Sequence, residues 1–108
     1  MLSRLVLCPS IGRHHIQKSD QCRTLIVDDA MVKFTPTEYR LLVPLLCGHA
    51  MTDRDLAQAG FACDVNPQIH KSIEKHIDKI RGKLRLFELN IHRVAKYGYI
   101  LLETETQA

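Results

Sequence analysis

The chain has 108 residues, 45% of them hydrophobic and 25% charged, enough for one domain with a modest core and too few for two ordinary domains. No apolar run approaches the roughly 18–20 residues of a membrane span, which argues against a membrane role. The net charge of +3 with neutral histidines and a pI near 8.8 suit an anionic partner without requiring one.

The opening "MLSRLVLCPS" lacks the longer apolar stretch and small cleavage-site residues of a secretory signal, and it reads as a strand. Leu7 stands where a lipoprotein box needs a small residue, so lipidation is not expected. Cys8, Cys22, Cys47 and Cys63 show neither C-x-x-C spacing nor the paired Cys/His pattern of a zinc finger. They are expected to be reduced, partly buried thiols of a cytoplasmic protein without disulfides or metal. Of the six histidines only His14 and His15 adjoin, and neighbours in a strand point apart; most are expected on the surface or at polar rims.

Residues 1–34 hold the short apolar stretches "RLVLC", "TLIV" and "MVKF", separated by turn-rich segments, and predict a small antiparallel sheet. "TLIVDD" imitates the first strand and acidic pair of a receiver domain. A helix begins only a few residues later, so Asp28 and Asp29 are expected to form a hairpin turn. "FTPTEY" places Thr35 at N-cap, Pro36 at N1 and Glu38 at N3, a capping box, with Phe34 and Tyr39 in the positions of a hydrophobic staple. A first helix is predicted from Pro36 to about Cys47, bent or opened at Pro44. "MTDRDLAQAG" predicts a short second helix, with Thr52 as N-cap, Asp55 at N3, Leu56 as anchor and Gly60 as stop. Asn66 and Pro67 open a third helix expected to reach about Leu86. "NIHRVAKYGYILLE" predicts a hairpin turning near Lys96, followed by a polar tail over residues 103–108.

In the third helix Ile69, Ile73, Ile77, Ile80 and Leu84 form one apolar stripe. Gln68, Lys71, Lys75, Asp78, Lys79 and Gly82 lie opposite, flanked by Ser72, His76 and Lys83 on one side and by Arg81 and Arg85 on the other. An ordinary solvated face held by Lys71–Glu74 and Asp78–Arg81 pairs would explain this pattern. So would a face that meets phosphate. Two capped helices, a basic helix and a hairpin bearing Arg93 and Lys96 follow the order of a winged helix-turn-helix, whose third helix enters the major groove.

In that order the residues resemble the winged-helix DNA-binding domain of OmpR/PhoB-type bacterial response regulators. "FTPTEYRLL" is similar to that family's "LTPTEFRLL", "DRDLAQ" stands in place of its "REELL", "IEKHIDKIRGKL" resembles "VDVHIxxLRxKL", and "VAKYGYIL" resembles "VRGxGYRL". The resemblance covers nearly the whole chain and implies an α+β fold. It implies a single domain over residues 1–102: an N-terminal four-stranded antiparallel sheet (1–34), three helices (35–86) and a C-terminal hairpin wing (87–102). It also implies binding of double-stranded promoter DNA, often as a head-to-tail pair, and a loop between helices two and three that can touch RNA polymerase. Carried over by position, the recognition-helix contacts fall on Lys75, His76, Lys79 and Arg81, with Glu74 and Asp78 also facing DNA and Arg93 on the wing. Lys71, Ser72 and Lys96 complete the expected DNA-binding set.

Arg81 can donate to phosphate or pair with Asp78, and His76 can donate to phosphate or pack on the flank. Asp78 stands where a basic residue is common, Ala95 and Lys96 replace the wing's "RG", and Ala59 and Gly60 replace the tryptophan after helix two. With 34 residues before Thr35, no receiver domain is expected ahead of the helices. Regulation is therefore expected from a partner regulator, a ligand or expression level, and self-association from the edges of "RLVLC" or "TLIV". No catalytic triad, metal spacing or glycine-rich phosphate loop emerges, so neither an enzyme nor a cofactor is expected. The competing expectation is a winged-helix protein-interaction module with weak or lost DNA binding, for which Asp78 and Ala95 speak.

Overall fold

The structure, a computed structural model, describes residues 5–7 and 14–103, the first three by their backbone alone. Cys8 and residues 104–108 of the expected tail lie outside the described residues; Glu103, placed in that tail, closes the last strand.

Four short strands, β1 (Leu5–Leu7), β2 (Ile16–Ser19), β3 (Thr24–Val27) and β4 (Ala30–Lys33), form an antiparallel meander in chain order. Asp28 and Asp29 join β3 to β4 with φ of 48° and 75°. Two consecutive left-handed residues make the turn whose twist matches the strands, and Asp tolerates that conformation better than most residues. The expectation of a free edge on "TLIV" is corrected here. β3 is hydrogen-bonded on both sides, to β2 and β4, and the outer strands of this sheet are β1 and β4.

Helix α1 (Pro36–Leu45) begins with the full capping box: Glu38 N–H donates to Thr35 Oγ1 (3.3 Å), and Thr35 N–H donates to Glu38 Oε1 (3.0 Å). Phe34 and Tyr39 are both buried beside it. The helix stops before the expected Cys47, because Pro44 falls in its last turn and Leu46 N–H closes back on the Val43 carbonyl (3.1 Å). Cys22 and Cys47 are exposed rather than partly buried, and Cys63 is half-buried; all three are free thiols.

Helix α2 (Asp53–Phe61) has its own capping box between Thr52 and Asp55. Gly60 does not stop it, contrary to expectation. The helix continues to Phe61 and is capped by Ala62 in the left-handed region, φ 54°. Gly60 is where α1 and α2 meet: a Cβ there would lie 2.6 Å from Leu41 Cδ2. Helix α3 (Pro67–Leu84) starts at Asn66, whose Oδ1 accepts from Ile69 N–H (2.9 Å), and runs into a short 3-10 turn over Arg85–Phe87.

The wing strands β6 (Leu89–Val94) and β7 (Gly98–Glu103) pair as expected. A third strand, β5 (Met51–Thr52), was not foreseen and adds to the outer side of β7, just before α2. Gly98 permits that contact, since a Cβ there would fall 1.8 Å from the Met51 carbonyl oxygen. Ile73, Ile77, Ile80 and Leu84 of α3 are fully buried in one core with Leu41, Leu42 and Leu45 of α1, Leu56 of α2, Leu25 and Val27 of the first sheet and Ile91 of the second; Ile69 is partly buried and packs against it. Among the described residues, no helix is long and apolar enough to cross a membrane.

Candidate nucleic-acid interface

Burying one stripe of α3 forces the opposite one outward, at about 100° per residue. Lys71, Lys75 and Lys79 are exposed there at intervals of four, and none of their side chains has a hydrogen bond or ion pair among the described residues. A cation without an internal partner keeps its full attraction for an anion outside.

Three cations around this row, Arg81, Lys83 and Arg93, are engaged. Arg81 donates through Nε to the Ile91 carbonyl on β6 (2.8 Å) and through Nη1 to Asp78 Oδ1 (2.7 Å). Of its two expected roles, the pairing with Asp78 is present. Lys83 Nζ reaches Glu38 Oε1 (2.6 Å) and the Lys33 carbonyl (3.1 Å), and lies 5.1 Å from the centre of the Phe34 ring. Burial opposes the negative charge on Glu38, but Lys83 and the Thr35 N–H outweigh it and hold the carboxyl below its ordinary range. These contacts anchor α3 to α1 and to the end of β4.

Arg93 sits on β6, short of the wing tip. It meets Asp53, the first residue of α2, through two contacts, Nη1 to Oδ1 (2.9 Å) and Nη2 to Oδ2 (3.4 Å), and lies 5.0 Å from the centre of the Tyr99 ring. Burial disfavours the guanidinium charge, yet the Asp53 carboxylate holds its pKa above the ordinary value. Burial also pushes the Tyr99 phenol up. His70 joins the group, 3.7 Å from Asp53, 3.6 Å from Glu74 and 3.4 Å from Arg93 Nη2. Glu74 thus pairs with His70 rather than with Lys71.

On the other flank His76 Nδ1 is 2.7 Å from the Ser72 carbonyl, with its ring packed edge-on to Phe61 at 5.8 Å. Ser72 and His76 are half-buried there. Lys96, at the hairpin tip, is exposed with φ 59°, in the position where the resembled motif carries glycine. The structure therefore brings Lys71, Lys75, Asp78 and Lys79 onto one open face. It sets Arg81 and Arg93 at the seam between α3 and the wing, and leaves Lys96 apart. Asp53, His70, Lys83 and Glu38 escaped sequence reasoning as members of this network. Only Glu38 carried a local signal, its place in the capping box.

The sequence matches no family model and no curated protein sequence. Its fold is similar to that of the DNA-binding domain of CpxR from E. coli, with a TM-score of 0.71, 19% identity, and coverage of 91% of this chain and 98% of that one. The DNA-binding domain of the response regulator AdeR, solved with an intercistronic region, aligns at TM-score 0.66 and 19% identity, covering 82% and 94%. The C-terminal domain of the nisin resistance regulator NsrR aligns at 0.54 and 18%, covering 94% and 93%. The chain has the winged-helix, α+β fold of response-regulator DNA-binding domains.

Proposed function

We propose that this chain is a sequence-specific double-stranded DNA-binding transcription regulator that acts without catalysis or cofactor. Helix α3 enters the major groove, and the β6–β7 wing near Arg93 and Lys96 rests on the backbone or minor groove. The observation that carries this reading is the row of Lys71, Lys75 and Lys79 on the outward face of α3, unpaired among the described residues, beside Arg81, Lys83 and Arg93, which are already engaged within the fold. The likeness to the AdeR domain, solved with DNA, supports it. Lysines of this kind hold phosphates or donate to guanine O6 and N7, while shorter polar side chains read other base edges.

Titration of a labelled duplex against salt tests the proposal. Roughly four to seven phosphate contacts per protomer give a log–log slope of about −4 to −6. Binding indifferent to salt removes the electrostatic mechanism.

A second reading has a specific observation in its favour. Arg81 and Arg93 are both held by carboxylates, which suits a winged helix that serves as a protein-interaction module for a partner regulator. Pairing of two copies through the outer strands β1 or β4, and contact with RNA polymerase through the loop after α2, are further proposals that either reading accommodates.

A further inference from the structure

The outward face of α3 carries two parallel rows of opposite charge. Lys71, Lys75 and Lys79 run along the centre and the α2 side. Glu74 and Asp78 run along the wing side, where they border the crevice shared with Arg81, Arg93 and Tyr99. Both carboxylates are exposed, and each is steadied through one oxygen: Asp78 Oδ1 accepts from Arg81 at 2.7 Å, and Glu74 Oε1 lies 3.6 Å from His70 Nδ1. Their other oxygens, Asp78 Oδ2 and Glu74 Oε2, accept no hydrogen bond among the described residues.

Resting on the DNA-binding reading above, we propose that Glu74 and Asp78 determine base preference, selecting two neighbouring G·C pairs with the cytosines on the strand facing the wing and the guanines on the strand facing the lysines. An ionised carboxylate only accepts hydrogen bonds. The major-groove base edges offer two donors, the cytosine N4 amine and the adenine N6 amine, and adenine sets its N7 acceptor beside the amine where a carboxylate is repelled. Guanine presents two acceptors and thymine one, so both are unfavourable opposite Glu74 or Asp78. The guanine of the same pair turns O6 and N7 toward the other flank, where the lysines donate. Positions four apart on a helix are separated by about 6 Å, within two base-pair steps.

Selection from a random duplex library, with the unaltered protein and with Glu74→Gln and Asp78→Asn, tests the assignment. An amide both donates and accepts, which matches adenine N6 and N7. The unaltered protein is expected to enrich two G·C pairs, with each one's replacement lowering affinity roughly 5- to 150-fold. Each amide variant is expected to move one cytosine position toward adenine while leaving the other unchanged. Enrichment of sites without G·C pairs at these positions overturns the inference. So do amide variants that bind with the same base preference, or that lose binding altogether while keeping the thermal stability of the unaltered protein. Failure of the unaltered protein to enrich any duplex overturns the DNA-binding reading itself, and this inference with it.

Discussion

Arg93 on β6 and Asp53 at the head of α2 meet through two contacts, at 2.9 and 3.4 Å, across 40 residues of sequence. The wing is thereby tied to the helix that precedes the candidate reading helix. The carboxylate also sits at a helix N-terminus, where the peptide dipoles favour its charge.

The clamp yields opposite expectations for its two halves. Arg93→Ala removes a cation from the seam and should weaken all duplexes alike, lowering the salt slope by about one without changing the preferred site. Asp53→Asn leaves the guanidinium in place without its counter-charge, so affinity for a scrambled duplex should rise. The pair is partly exposed, and a double-mutant cycle on stability should return a coupling of about 0.2–1 kcal/mol. Unchanged affinity in both variants would place Arg93 off the DNA.

Glu38 and Lys83 make a different kind of pair, because the carboxylate is only 2% exposed. Its folded pKa lies below the ordinary value of 4.5, so its contribution is present above that value and disappears as pH falls through the lower, folded one. Lys83→Met keeps the apolar stem but strands a buried carboxylate, and should cost about 1–3 kcal/mol at neutral pH. Without the lysine, burial raises the Glu38 pKa, so acidification relieves the variant while it weakens the parent. Urea denaturation at pH 7 and near pH 4 checks this: the gap between the two proteins should narrow at the lower pH. A gap of constant size would mean that Lys83 acts through packing on Phe34 alone.

Glycine placement gives a stability test free of DNA. Gly82 lies inside α3 with nothing within 4 Å of an added Cβ, so Gly82→Ala should raise stability by about 1 kcal/mol. Lys96→Gly should also stabilise, by roughly 1 kcal/mol, by placing glycine in a left-handed conformation that costs a side-chain-bearing residue. Gly60→Ala should do the reverse, losing about 1–3 kcal/mol as the new methyl meets the fully buried Leu41. Melting curves of the three variants read the signs directly, and a stable Gly60→Ala protein would mean that α1 and α2 can separate without loss.

The contrast between these glycines marks what was legible in the sequence. Caps at Thr35, Thr52 and Asn66, the Asp28–Asp29 turn and the α3 stripe are local: each is decided within a few residues by backbone donors and helical period, and each formed as read. Gly60 looked like a helix stop by the same local logic, but its neighbour is Leu41, nineteen residues away, and interhelical distance decided its use. β5 is two residues long and exists only because Gly98 lets it pair with β7. In the candidate interface, the outward lysines followed from period alone. The partners of Arg81, Lys83 and Arg93 did not, because Ile91, Glu38 and Asp53 lie 10, 45 and 40 residues away and no spacing rule connects them.

Lys75→Ala and Lys79→Ala test the reading helix itself. Both residues are exposed and unpaired among the described residues, so neither substitution should shift the melting temperature by more than surface changes usually do, about 0.5 kcal/mol in stability. Loss of DNA affinity can then be assigned to the interface rather than to folding. A lysine that meets a base edge should cost about 1–3 kcal/mol and relax preference at that position; one that meets only phosphate should weaken every duplex and lower the salt slope by about one. Lys75 lies nearer the middle of the outward arc, directly opposite the buried Ile73 and Ile77, and is expected to show the first behaviour. Lys79 lies toward the α2 flank and is expected to show the second. Measuring both variants on the selected site and on a scrambled duplex, at two salt concentrations, distinguishes the two outcomes. If neither variant changes either affinity, α3 is not the surface that meets DNA, and the interaction-module reading takes its place.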